Sequence, residues 1–351
     1  MAAAAAAVPG SAGSDVMFWW NTALGGSPRT FPAAMRRSAE ASANFTKSKW
    51  GSGSSSRRSG RGARGGGGPT VAFSPFEVAY SVSTNSDPVV YLSTPPVYQN
   101  PNVTQNFASL VPLRKLGPLI VPIGVGGNPP CNADTNQTCL ADLVGFLTSP
   151  ARRAAAVAEL VRVARSKGFA GWNFDQETQM QSKSAALTAG WRAFLAELAA
   201  AMKAHVDPAA TVSVDICGNC GGSDYMGMFA GNWTGIGVEI VSMCTYSNFS
   251  AANYTPCATC GTYNPFDARL SCLSQSYGKE TARVGLGQGI PTWNPDVGEL
   301  RRQLRLVEGA NLSKVAVFVA PSLYTSVEWL DVLYDWVAAR KLALHAAAAA
   351  E

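Results

Sequence analysis

Residues 168–177 read GFAGWNFDQE, and the alternation inside this stretch decides how the rest of the chain is read. Successive side chains of a strand point to opposite faces. Trp172 and Phe174 therefore share one face, while Asn173, Asp175 and, just beyond, Glu177 share the other. Burying an amide or a carboxylate without partners costs several kcal/mol, so polar groups repeated on one face of an apolar strand point to a site. Asp175 and Glu177 fall about 6.6 Å apart along an extended chain and can lean toward one another. A second carboxylate nearby raises the pKa of the first, which suits a Glu that must hold a proton and donate it. The plainer use of the two acids is to cap the following helix or to form ion pairs, which leaves the inward Asn173 and Asp175 unexplained.

Outward from this stretch, strand and helix alternate. Residues 151–166 precede it with helical character, and residues 185–204 follow it with Leu187, Trp191, Leu195, Leu198 and Met202 at three- or four-residue spacing, which is one buried stripe. Apolar strands are expected at 16–20, 76–82, 119–125, 171–174, 212–216, 238–243, 284–286 and 315–319, with further helices at 31–43 and 327–340. Alternating units predict a parallel sheet, and eight of them predict a closed (β/α)₈ TIM barrel, which needs about 250 residues. The 351 residues are thus read as one α/β barrel domain over 15–342. A low-complexity stretch at 1–14 precedes it, an Ala-rich tail at 343–351 follows it, and a disordered insertion at 47–69 interrupts it near the N-terminus. The insertion contains SGSSSRRSGRGARGGGG, which has too little apolar surface to offset the entropy of ordering it. In such barrels chemistry sits at the C-terminal ends of the strands.

Composition narrows the chemistry. The net charge of +5 is confined to Lys47, Lys49, Arg57, Arg58, Arg61 and Arg64; without those six of its 28 basic residues the chain has 22 against 23 acidic ones. No aromatic residues alternate with these arginines, so a nucleic-acid partner is not expected. With only His205 and His345, mechanisms that need an imidazole beside a nucleophile or an ion are disfavoured, and carboxylate chemistry without metal or cofactor is expected. No apolar run reaches about eighteen residues, so no membrane span is expected.

The eight cysteines include the local pairs Cys131 with Cys139, Cys217 with Cys220 and Cys257 with Cys260, leaving Cys244 and Cys272. An even count suggests disulfides, whose connectivity the sequence leaves open; the gap from Cys220 to Cys257 is longer than a paired zinc motif uses. N-x-S/T sequons at Asn44, Asn102, Asn136, Asn232, Asn248, Asn253 and Asn311 exceed the roughly two or three expected by chance. Glycans and disulfides both fit an oxidising secretory compartment, secreted or vacuolar/lysosomal, although MAAAAAAVPGSAG is a poor signal peptide.

AGWNFDQE at 170–177 resembles the DGxDxDxE signature of family 18 glycoside hydrolases, the chitinases and their relatives, which are (β/α)₈ barrels carrying it on the fourth strand. IGVGG at 123–127, with Gly126 and Gly127, is similar to the family's SxGG segment, and SMCTYS at 242–247 to its Met-x-Tyr-Asp segment. The resemblance implies that Glu177 is the general acid, that Asp175 orients the substrate's 2-acetamido group, and that Tyr246 donates a hydrogen bond to it. Its carbonyl oxygen would then attack the anomeric carbon, a substrate-assisted variant of glycoside hydrolysis. Ala170 and Asn173 replace the family's first two acids, Ser247 replaces the residue after the tyrosine, Met243 lies three rather than two residues before Tyr246, and the usual eighth-strand Trp is missing from 317–323. A neutral Asn173 cannot share a proton with Asp175 as a carboxylate could.

The remaining candidates are substrate-binding. Trp20 or Trp293 offers an apolar floor for a sugar ring, with barrel core as the plainer use of either. Asp215 closes the fifth strand and is expected at the site mouth, binding substrate hydroxyls or satisfying loop amides. GLGQG at 285–289 lacks the Lys of a phosphate loop and reads as a tight turn. The expectation is a monomeric glycosidase acting with retention on β-1,4-linked N-acetylglucosamine, in chitin oligomers or the chitobiose core of N-glycans. A carbohydrate-binding lectin of the same fold is the alternative, against which the retained Asp175 and Glu177 argue.

Overall fold

The computed structural model describes residues 15–20, 71–75, 80–82, 90–92, 119–120, 123–125, 137–175, 185–216, 233–242, 270, 273–274, 277–278, 281–286, 297–319 and 327–350. The expected helix at 31–43, the insertion at 47–69 and every cysteine but Cys139 lie outside them. Strands are β1 (Val16–Trp20), β2 (Val71–Pro75), β3 (Tyr80–Val82), β4 (Val90–Leu92), β5 (Leu119–Ile120), β6 (Ile123–Val125), β7 (Gly171–Asp175), β8 (Thr211–Ile216), β9 (Val238–Ser242), β10 (Ala282–Leu286) and β11 (Lys314–Val319). Helices are α1 (Gln137–Thr148), α2 (Pro150–Lys167), α3 (Ala185–His205), α4 (Val297–Gly309) and α5 (Val327–Ala350).

The strands make one sheet in the order β4-β3-β6-β7-β8-β9-β10-β11-β1-β2-β5. From β6 round to β5 every pairing is parallel. Because β5 ends at Ile120 and β6 starts at Ile123, two residues of chain join the two ends of this parallel run, and the sheet curls onto itself as a (β/α)₈ barrel. The run 119–125 reads as one strand in the sequence but divides into β5, paired to β2, and β6, paired to β7. Pro122 lies in the gap and has no N–H to give a ladder.

The second ring strand corrects the sequence reading. It is Val71–Pro75, in register with β1 from Val16↔Val71 to Trp20↔Pro75, rather than 76–82. Tyr80–Val82 is β3, antiparallel to β4 and touching the ring where Tyr80 pairs with Gly124. Both stretches are apolar enough to be strands, and apolar content does not tell a ring strand from a rim hairpin.

Helices cover the outer face. The stripe Leu187, Trp191, Leu195, Leu198 and Met202 of α3 is buried, as are Leu160, Val163 and Ala164 of α2 and Trp329, Leu333, Tyr334 and Val337 of α5. Each large apolar side chain withdrawn from water contributes roughly 1.5–3 kcal/mol. Arg153 of α2 ties α2 to α3, donating from Nη2 to Glu197 Oε1 at 2.8 Å, and to α1, donating from Nη1 to the Leu147 carbonyl at 2.6 Å. Among the described residues no helix is long and apolar enough to cross a membrane.

Candidate active site

The stretch 168–175 is built by its glycines and its alternation. Helix α2 starts at Ser149, whose Oγ accepts from Arg152 N, and Pro150, whose missing N–H costs nothing at a first helical position. It stops at Gly168, left-handed at φ 68° and ψ 40°, a conformation a side chain would oppose. Three residues later, Gly171 lies so close to β8 that a Cβ there would sit 1.9 Å from the Thr211 carbonyl oxygen. That approach lets β7 enter its full register with β8, Gly171↔Thr211 through Asp175↔Asp215.

Residues 172–174 then alternate as the sequence requires. The Phe174 ring meets Trp191 and Phe194 of α3 edge to face at 6.2 and 5.7 Å, and Trp172 meets Phe169 at 5.3 Å. Asn173 faces the other way, into the barrel, where it is 0% exposed. Its Nδ2 donates to Ser213 Oγ at 2.8 Å and to Asp215 Oδ1 at 2.8 Å. Asp215 is also 0% exposed, so its carboxylate answers a protein amide inside the barrel. A buried hydrogen bond of this kind contributes roughly 0.5–1.5 kcal/mol net.

Asp175 ends β7, its backbone in register with Val125 on one side and Asp215 on the other. Trp20 ends β1 in register with Val319 and Pro75. These strand ends share the C-terminal rim, the end that carries chemistry in such barrels. Gly126 and Gly127 follow directly on β6; they, Glu177, Tyr246 and Trp293 lie outside the described residues. Among the described residues no three His, Cys, Asp or Glu side chains stand together as a metal site.

Two features escaped the sequence reading. Ser213 is the first: together with Thr211 and Asp215 it makes a polar face on β8, a signal as legible as that of β7. The second is an ion network on the barrel floor, at the N-terminal ends of β9, β10 and β11. Glu239 Oε1 accepts from Lys314 Nζ at 2.7 Å, and its Oε2 from Arg283 Nε at 3.0 Å and Nη2 at 2.6 Å. Arg283 Nη1 reaches the carbonyls of Val315 at 2.9 Å and Asp15 at 3.4 Å. Burial alone would push the Glu239 carboxyl up, but the charges of Arg283 and Lys314 outweigh it and hold the group below its ordinary value. The network is stability, at the end where stability is expected. Its signal was a lone charge at the second position of each of two apolar strands, VEIVS and ARVGL.

Residues 130–226 match the family model described as glycosyl hydrolase family 85, a segment that runs through β7 and β8. No curated protein is similar to the chain at a significant level. Among solved structures, a class V chitinase from Pseudomonas fluorescens is 15% identical, with 91% of this chain and 98% of that one covered at a TM-score of 0.55. A chitinase from Chromobacterium violaceum is 12% identical over 90% and 98%, at 0.52. A family 18 chitinase from Cycas revoluta, solved with a trimer of N-acetylglucosamine, is 10% identical over 92% and 99%, at 0.52. The fold is that of these chitinase barrels, and with a glycosyl hydrolase segment across its polar strands the chain is a glycosidase.

Proposed function

We propose that this glycosidase hydrolyses β-1,4 linkages next to N-acetylglucosamine, in chitin oligomers or the chitobiose core of N-glycans, with retention and without a covalent enzyme ester. The observation that carries the reading is the amide of Asn173, held on the inner face of β7 two residues before Asp175 and four before Glu177. That anchored amide fixes the middle of the strand whose sequence runs on to both acids.

In this mechanism Glu177 gives its proton to the glycosidic oxygen as the bond from that oxygen to the anomeric carbon breaks. The acetamido carbonyl oxygen forms the new bond to that carbon, giving an oxazolinium ion, while Asp175 accepts from the acetamido N–H and Tyr246 donates to the acetamido oxygen. Water, deprotonated by Glu177, then opens the ion from the face the leaving group left, so configuration is retained. Gly126, Gly127, Trp20 and Trp293 are proposed to shape the sugar subsite. The same reading takes residues 15–342 as one domain, acting as a monomer in the secretory pathway.

The test is release of a fluorogenic aglycone from a chitotriose reporter. The unmutated protein is expected to turn over, and Glu177→Gln to lose about 10²–10⁴-fold in kcat while still binding the oligomer. Binding without turnover by the unmutated protein would make the chain a lectin, and equal turnover by the variant would sink the mechanism.

A further inference from the structure

Helix α4 ends in a turn that places one amide in water. Asn311 N–H donates to the Glu308 carbonyl at 2.8 Å and Leu312 N–H to the Val307 carbonyl at 3.0 Å, with Asn311 left-handed at φ 56°. Two such bonds around a left-handed residue are the Schellman stop of a helix, whose left-handed position glycine fills more often than asparagine. Leu312 goes under at 0% exposure, while Asn311 stays exposed. Glycine would hold the turn with no Cβ to oppose it, so the backbone alone does not account for the asparagine.

Arg340 of α5 donates from Nη2 to Asn311 Oδ1 and from Nε to the Leu312 carbonyl at 3.3 Å. A guanidinium has no acceptor, so the planar Asn311 amide turns its oxygen to Arg340 and its nitrogen, Nδ2, away from it. This clasp uses the oxygen and leaves the nitrogen. Two residues on, Ser313 completes the sequence Asn-Leu-Ser, the acceptor pattern for N-linked sugar. Neither the turn nor the clasp calls for a hydroxyl at position 313. Of the seven sequons, this one lies among the described residues.

We propose that Asn311 is a modification site and carries an N-linked oligosaccharide on Nδ2, standing on the floor of the barrel. The proposal rests on the reading that the chain enters the secretory pathway. In the transfer, a bond forms from Asn311 Nδ2 to the anomeric carbon of the first sugar as the bond from that carbon to a lipid-linked pyrophosphate breaks. The pyrophosphate leaves with the electron pair, and Nδ2 gives one of its two hydrogens as a proton to a base of the transferase. Oδ1 takes no part, so the amide keeps its acceptor for Arg340 and the sugar is added without loss of the clasp.

The place of the residue agrees with this use. A glycan is bulky and hydrated, and it stays at the surface of the folded protein, which the exposure of Asn311 permits. Asn311 lies three residues before β11 begins at Lys314, at the N-terminal end of the parallel strands, whereas Asp175 and Trp20 end their strands at the opposite rim. A sugar chain here therefore leaves the rim open.

The experiment expresses the full chain behind a supplied secretion signal in a glycosylating eukaryotic host and maps the product by mass. Trypsin cuts after Arg305 and after Lys314, and the peptide 306–314, LVEGANLSK, contains Asn311 as its one sequon. After peptide N-glycanase in 18O water, this peptide is expected with Asn311 converted to Asp and carrying 18O. Recovery of the peptide with Asn311 intact and bare overturns the proposal. S313A removes the acceptor pattern and keeps both the asparagine and its clasp to Arg340. It is expected to migrate one glycan lighter on a gel, and unchanged migration overturns the proposal as well. If S313A does not fold, N311G, which suits the left-handed backbone, carries the same test. Sugar at other sequons with Asn311 bare overturns this proposal alone, whereas finding the chain in the cytosol of its own cells overturns the secretory reading beneath it. Neither measurement needs turnover, so the hydrolase reading stands or falls separately.

Discussion

Arg283 on β10 grips Glu239 on β9 through two nitrogens of one guanidinium, at 3.0 and 2.6 Å, with Arg283 wholly buried. Lys314 takes the other carboxylate oxygen, so Glu239 compensates two buried cations. Removing one partner of a buried pair costs about 3–5 kcal/mol. Glu239→Gln is expected to lose that much in urea unfolding at neutral pH, with little dependence on salt because solvent does not reach the pair.

The same network sets a pH dependence. Glu239 is held below the ordinary glutamate value of 4.5, so the unfolded chain binds its proton first as pH falls. The contribution of this group to stability is full above that value, and it is lost as pH drops through the lower, folded value. The stability difference between the unmutated protein and Glu239→Gln should therefore be constant at neutral pH and shrink below about pH 4.5. A difference that grew on acidification would contradict the ion pairing.

The two glycines flanking Phe169 and Ala170 separate conformation from space. Gly168→Ala puts a side chain on a left-handed backbone at φ 68° and is expected to cost about 1–2 kcal/mol. Gly171→Ala drives a methyl group against the Thr211 carbonyl, 1.9 Å away, where only strand separation can relieve it. A loss of about 3 kcal/mol or more is expected. Paired denaturation curves check the order, and equal losses would refute the account of Gly171.

Asn173→Leu replaces the amide by a group that satisfies neither Ser213 nor Asp215. Buried Asp215 then loses the donor that Asn173 gives it, and about 3 kcal/mol of stability should go with it. Asn173→Asp tests the charge: two carboxylates would meet at hydrogen-bond distance, and the variant should be more stable at pH 4 than at pH 7 relative to the unmutated protein.

If the acetamido group is the nucleophile, a reporter with glucose in place of N-acetylglucosamine should be inert, and Asp175→Asn should lower kcat about 10²-fold or more on the acetamido substrate. Comparable rates on both reporters would point to an enzyme nucleophile instead.

Much of the barrel was legible because two periods dominate it. The 3.6 period of Leu187, Trp191, Leu195, Leu198 and Met202 and the 2.0 period of Trp172, Asn173 and Phe174 each have a single buried solution. The second ring strand was misread because FEVAYSV at 76–82 is as apolar as VAFSP, and what distinguishes them is register with β1, which no local pattern encodes. The Asn173 partners were half legible. VSVDI displayed its polar face, but that Asp215 would turn to a side chain 42 residues away is a tertiary fact. The floor network was hidden for the same reason, as its members come from three strands.

Asn173, Ser213 and Asp215 all belong to one strand-helix-strand unit, residues 171–216, whereas Arg283 reaches Asp15 across 268 positions of sequence. Contacts near in sequence close at lower entropic cost than distant ones. The polar pair inside the barrel is thus expected to acquire amide protection early in refolding, while the staple between β10 and the segment before β1 waits for the later strands to arrive. Pulse-labelled hydrogen exchange would read this as β7 and β8 protected before β1, so that the Asn173–Asp215 pair is made before the barrel is shut.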